Sequence, residues 1–140
     1  FYPKQTYFME LIQKHITEIL LLLFLIVTFL QSGIDKVTDW KGNSSFIKEH
    51  FKNSPLKNSV PILLAIILIM ELLAGALMFV GIFHLSTTGA KEIALIGSVL
   101  SALSLIFLLV GQRLAKDYAG AMTLAVYFII AIFGVYLLSK

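Results

Sequence analysis

The sequence predicts an all-α membrane protein, a four-transmembrane-helix bundle with a short amphipathic surface helix between its first and second spans. Two observations indicate this class. Hydrophobic residues make up 59% of the chain and charged residues 14%, and the mean hydropathy is +0.92, whereas soluble domains carry about 25% charged residues. The apolar residues also fall into runs close to the roughly 20 residues that a helix needs to cross a bilayer. With 140 residues, the chain has room for one domain.

Four apolar runs define the predicted spans, at about residues 16–37, 61–83, 92–111 and 119–138. Because their number is even, both termini are expected on the same side of the membrane. Lysine and arginine number four on the terminal side (Lys4, Lys14, Lys91 and Lys140) and seven on the opposite side. The positive-inside rule would place the second side in the cytoplasm, but the small difference leaves the orientation open.

The segment before the first span, residues 1–15, mixes aromatic residues with lysines. Tyr2, Tyr7 and Phe8 lie among Lys4 and Lys14, a composition that suits the headgroup layer of a bilayer. The chain starts with Phe and not with Met, so we expect that residues before it are missing from this numbering. The first apolar run lacks an Ala-x-Ala cleavage site and is followed by three more runs, which favours a retained helix over a signal peptide.

The loop at residues 38–59 contains the predicted surface helix. Ser44 or Ser45 could cap a helix that continues to about Lys52. One face of that helix would then carry Phe46, Ile47, His50 and Phe51. With Trp40 just before it, the pattern indicates an amphipathic segment that lies on the membrane surface.

The residue inventory limits the chemistry that this chain can perform alone. There is no cysteine, which excludes disulfides, thiolate metal sites and an Fe–S cluster ligated by this chain. His15, His50 and His84 lie near span ends, so we expect neither a haem held inside the bundle nor a metal site. The net charge is +3 without a basic block, which argues against nucleic acid binding. A redox role would therefore require a quinone, another bound cofactor or a partner subunit.

Glu71 is the most informative residue, because it lies about eleven residues from either end of the second predicted span, or roughly 15 Å from each surface at 1.5 Å per residue. A carboxyl group at that depth needs a partner, a water-filled cavity or a proton. Glu71 could mark a functional site, as intramembrane ionisable residues often do. Alternatively, it could be a neutral side chain that holds two helices together by a hydrogen bond.

Other polar residues gather on one side of the membrane, opposite the chain termini. They lie at the end of the first span and between the third and fourth spans. Gln31 and Asp35 are four apart and share a helix face. If the helices pack around a common axis, these groups would line the mouth of a pocket with Glu71 at its floor. The candidate pocket comprises Glu71, Gln31, Asp35, Lys36, Gln112, Arg113, Asp117 and Tyr118. The alternative is a ring of ordinary interfacial charges, with Lys36 and Arg113 extending towards the headgroups.

Three stretches of the sequence resemble the DoxX-like family of small four-helix membrane proteins. They are FLQSGIDKV (29–37), MELLAGALMFVGIF (70–83) and GQRLAKDYAGA (111–121). The pattern of Gly33, Ile34 and Lys36 at the end of the first helix is similar to that of the family. So is Glu71 followed by a glycine-rich apolar run in the second helix. The similarity extends over about residues 16–138.

The resemblance implies a broad superfamily and no single activity. Some relatives look like the membrane subunit of a thiosulfate:quinone oxidoreductase, and others are linked to redox defence or occur as accessory subunits. It implies an integral protein of the bacterial inner membrane, and it carries the family's helix-two acid over to Glu71 and its helix-one lysine to Lys36. No feature of this chain indicates thiosulfate as a substrate.

Three functional hypotheses follow. The first is an accessory subunit of a larger membrane complex with a redox link. The second is a quinone-interacting subunit of an oxidoreductase, in which Glu71 accepts a proton while Lys36 and Arg113 contact the polar head. The third, a small-solute transporter, is least favoured, because the sequence shows neither the broken helices nor the repeat symmetry that transporters use.

Overall fold

The described part of the chain, residues 4–140 of a computed structural model, consists of helices joined by short turns. Six helices follow one another: α1 (Lys4–Lys14), α2 (Ile16–Thr38), α3 (Trp40–His50), α4 (Val60–Thr87), α5 (Glu92–Leu114) and α6 (Tyr118–Leu138). Tyr2, placed in the headgroup layer by the sequence, lies outside the described residues.

Four of these helices, α2, α4, α5 and α6, are long and apolar enough to cross a membrane. α4 packs between α2 and α5, α5 packs between α4 and α6, and a smaller contact between α2 and α6 closes the bundle. The predicted fold class is therefore confirmed, and the chain is an integral membrane protein. The helices exceed the predicted spans at several ends, most clearly α4, which continues beyond residue 83 to Thr87.

The bundle core combines large apolar side chains with very small residues. α2 contributes Leu22, Leu25 and Phe29, all buried. Where α4 meets α5, a Cβ added to Gly81 would come within 2.5 Å of the Cα of Ala94, so the two backbones approach closely. Helices in lipid associate through such close packing, since no hydrophobic effect drives them together there.

α1 is a helix that the sequence did not indicate. It packs against α2 and α4 at the end of the bundle that holds the chain termini. Leu11 is its buried residue, and the turn between α4 and α5 brings Gly89 next to it. His15, at the junction of α1 and α2, is only 3% exposed, and its Nδ1 lies 3.1 Å from Glu18 Oε2. This histidine, predicted at a span end, is therefore buried.

α3 is the predicted surface helix, but it begins earlier than expected. Asp39 is its N-cap residue, and the Asp39 carboxylate accepts a hydrogen bond from Gly42 N at 3.2 Å. The cap predicted at Ser44 or Ser45 is wrong, because both residues lie inside the helix. Phe46 is 68% exposed and points away from the bundle, which suits a side chain in the interfacial layer of a bilayer.

Candidate functional site

A buried ion pair connects α2 to α4. Lys36 lies in the last turn of α2, and its ammonium turns back along the helix to donate to Ser32 Oγ at 2.6 Å. The same ammonium donates to Glu71 Oε1 at 2.8 Å. Side chains of helical residues point towards the helix N-terminus, so a lysine near the end of α2 can reach a carboxylate deeper in the bilayer.

The surroundings of this pair are almost closed to solvent and lipid. The Glu71 side chain is 4% exposed and that of Lys36 is 14% exposed. α5 adds a further polar group, Ser104, at the same depth. Gly97 of α5 packs on Met78 of α4, and the two helices are antiparallel. Ser104 and Glu71 each lie seven residues, or two turns, from this contact in the same direction, so they are level with each other. Ser104 donates its own hydrogen bond to Leu100 O at 2.9 Å. The acid at the centre of α4 thus has its hydrogen-bond partner, Lys36, within the bundle.

Gln31 and Asp35 lie on a different side of α2 from Lys36. Both are exposed, and they line a shallow groove of about 460 Å³ along the side of α2. Its lining consists of Ile26, Val27, Leu30, Gln31, Ile34 and Asp35. The two residues share a helix face as predicted, but that face points away from Glu71.

A second polar cluster joins the end of α3 to the turn between α5 and α6. His50 Nε2 lies 2.9 Å from Gln112 Oε1 and 3.3 Å from Asp117 Oδ2. A proton on Nε2 would let the His50 ring donate a hydrogen bond to either of these oxygens. Asp117 also caps α6, since its Oδ1 accepts a hydrogen bond from Gly120 N at 2.9 Å. The cluster fixes α3 across this end of the bundle.

Arg113 and Tyr118 form a separate exposed pair. The Arg113 guanidinium lies 4.8 Å from the centroid of the Tyr118 ring, and both side chains are exposed. This distance is within the range of a cation–π interaction, which is worth roughly 0.5–1 kcal/mol at exposed sites. Neither residue reaches the Lys36–Glu71 pair by a hydrogen bond or an ion pair among the described residues.

The structure thus divides the eight candidate residues into four groups and forms no single pocket from them. Glu71 and Lys36 meet in the interior, and Gln31 and Asp35 lie on the outer face of α2. The other two groups lie at the α5–α6 turn and pair Gln112 with Asp117 and Arg113 with Tyr118. Sequence reasoning missed two polar partners, Ser32 and His50. Ser32 precedes Lys36 by one helical turn, a spacing that could have identified it, whereas the contacts of His50 depend on tertiary packing.

Comparisons with known proteins add no identity to this geometry. Within residues 4–140, no group of three or more histidine, aspartate or glutamate side chains is arranged to hold a metal ion. No protein-family model, no curated protein and no solved structure matches the chain.

Proposed function

We propose that this chain is an accessory subunit of a larger membrane complex, in line with its resemblance to DoxX-like proteins. The observation that carries the proposal is the pairing of Glu71 with Lys36 at 2.8 Å inside the bundle. A carboxylate that exchanges protons with a bound substrate lies within hydrogen-bond reach of it, directly or through a water. Here the carboxylate accepts a hydrogen bond from a lysine of the neighbouring helix, which supports a role in holding α2 against α4.

The proposal includes a redox link and a location. The resemblance implies complexes of the bacterial inner membrane that transfer electrons, and in such a complex a partner subunit would supply the electron carrier. With four antiparallel spans, both termini would lie on the same side of that membrane. The outer surfaces of α2, α4, α5 and α6 are rich in exposed apolar side chains, which suit contact with lipid or with the apolar helices of other subunits.

One observation favours the alternative of a quinone-interacting subunit. The groove on α2 is apolar along Ile26, Val27 and Ile34 and polar at Gln31 and Asp35, so it could hold the polar head of an amphiphile. However, neither Gln31 nor Asp35 forms a hydrogen bond or ion pair with Glu71, whose partner among the described residues is Lys36. A quinone whose polar head contacts Gln31 and Asp35 would therefore exchange protons with Asp35.

Gentle extraction from the source membrane tests the accessory role. Native separation of the solubilised complexes should show the chain comigrating with other membrane subunits in fixed stoichiometry, and deletion of the chain should dissociate or destabilise that assembly. A homogeneous monomer or homodimer without a partner would refute the proposal. If that lone species retained stoichiometric quinone, the quinone-interacting alternative would replace it, and the variant Asp35→Asn should then lower the quinone content.

A further inference from the structure

The outer face of α2 carries two polar side chains, Gln31 and Asp35, without a partner among residues 4–140. Gln31 precedes the last residue of α2, Thr38, by seven positions, so its Cα lies about 10 Å from the helix end. Among residues 4–140, the amide of Gln31 and the carboxylate of Asp35 have no hydrogen-bond or ion-pair partner. By contrast, nearby Thr28 donates its hydroxyl proton to Phe24 O at 2.9 Å. An unpaired amide in hydrocarbon costs several kcal/mol, so this face favours an occupant that forms hydrogen bonds.

The shape of the groove matches another helix. Its lining residues form two parallel rows with four-residue spacing. Ile26 and Leu30 of the first row pack into the bundle while Ile34 is exposed, and the second row, Val27, Gln31 and Asp35, is exposed along its length. Such rows are the ridges of a helix surface, and the furrow between two of them receives a ridge of a second helix. A small-molecule site, in contrast, is usually a deep concavity that buries most of its ligand. This groove is shallow, and its lining comes from one helix.

We propose that a transmembrane helix of a different polypeptide occupies this groove, with an amide or hydroxyl side chain level with Gln31 and a lysine or arginine level with Asp35. The inference rests on the accessory role proposed above and identifies the surface through which the subunit attaches. The charge argues for a different polypeptide. In a dimer with a two-fold axis along this face, Asp35 would approach the same residue of the second copy, and two carboxylates would repel each other.

Site-specific photocrosslinking in the source membrane tests this proposal. A benzoylphenylalanine at Ile34, which is 54% exposed inside the groove, should give one discrete polypeptide adduct. The matched control position is Ile129, which is 65% exposed on α6. In the Ile34-labelled chain, Asp35→Lys should lower the adduct yield at least tenfold and Gln31→Leu several-fold, whereas Asp35→Glu should preserve it. Unchanged far-UV circular dichroism of each variant would show that the bundle is intact.

Several results would overturn the inference. An adduct with the mass of a lipid or a quinone would assign the groove to an amphiphile, and an adduct with a second copy of this chain would assign it to a homodimer. An equal yield in the Asp35→Lys variant would remove the charge argument. If the chain comigrates with partner subunits but gives no polypeptide adduct at Ile34, the groove is not the attachment surface, and the accessory role stands. If no subunit comigrates, both proposals fail.

Discussion

Removing the ammonium of Lys36 would leave the Glu71 carboxylate without its partner inside the bundle. The side chains in this pair are 14% and 4% exposed, with N and O 2.8 Å apart, so the energetics of buried pairs apply. Deleting one member of a buried pair costs about 3–5 kcal/mol, whereas an exposed pair is worth roughly 0–1 kcal/mol. We therefore expect Lys36→Met to lower the free energy of unfolding by about 3 kcal/mol, or roughly two orders of magnitude in the folding equilibrium constant.

Unfolding in mixed micelles with a rising fraction of dodecyl sulfate provides the assay. Fluorescence of Trp40, the single tryptophan of the chain, would report on α3, and far-UV circular dichroism would report on total helix. The double variant Lys36→Met with Glu71→Met should recover to within about 1–2 kcal/mol of the original chain, since apolar replacements of a whole buried pair are often neutral. This non-additivity measures the coupling between the two residues.

The matched control is the exposed pair of Lys52 and Glu49, whose Nζ–Oε1 distance is 2.6 Å and whose side chains are 58% and 71% exposed. Lys52→Met should change the free energy of unfolding by less than about 0.5 kcal/mol. The reasoning fails if Lys36→Met is no more destabilising than Lys52→Met, or if the double variant is as unstable as the single one.

Two further predictions concern helix packing and capping. Gly81→Ala should destabilise the bundle by about 1–3 kcal/mol, because the new methyl group meets the backbone of α5. Gly75→Ala should cost less, because its methyl group meets a leucine side chain that can move. The same micelle assay checks this order, and equal losses of stability would contradict it. Asp39→Ala should destabilise α3 by about 1 kcal/mol through loss of its N-cap, while Ser45→Ala should have little effect. Hydrogen exchange of the α3 amides distinguishes the two variants. Faster exchange in the serine variant alone would refute the assignment of Asp39 as the N-cap.

Hydropathy was sufficient to predict the four spanning helices, because a long apolar helix satisfies its own backbone hydrogen bonds wherever it packs. Two shorter helices were harder to place from sequence. α1 buries only Leu11 among its described residues, so its sequence lacks the repeated core-facing apolar residues that would indicate a helix. α3 was expected, but Asp39 and the serines that follow are all residues that cap helices well, and the sequence alone did not identify which of them does so.

The candidate residues on α2 do not all face Glu71, for a reason that helix geometry already contains. Consecutive residues of an α-helix are about 100° apart around its axis. Asp35 and Lys36 are consecutive, so they cannot both face Glu71 closely. Gln31 shares the face of Asp35 and therefore also points outward. The direction of these side chains depends on the docking of α2 on α4, which a single sequence does not reveal.

Two of the three stretches that carry the DoxX-like resemblance, residues 29–37 and 70–83, lie on this docked helix pair. Gly33 lies one turn before Lys36, and a Cβ there would come within 2.6 Å of Leu72 on α4. Gly75 lies one turn after Glu71, and a Cβ there would come within 2.5 Å of Leu30 on α2. The two glycines let the helices approach on either side of the ion pair, where the lysine reaches the carboxylate. A lysine near a helix end would otherwise extend towards the headgroups; here the cost of an unpaired Glu71 favours the inward conformation. The glycine, lysine and glutamate patterns are therefore explained together by the packing of α2 against α4.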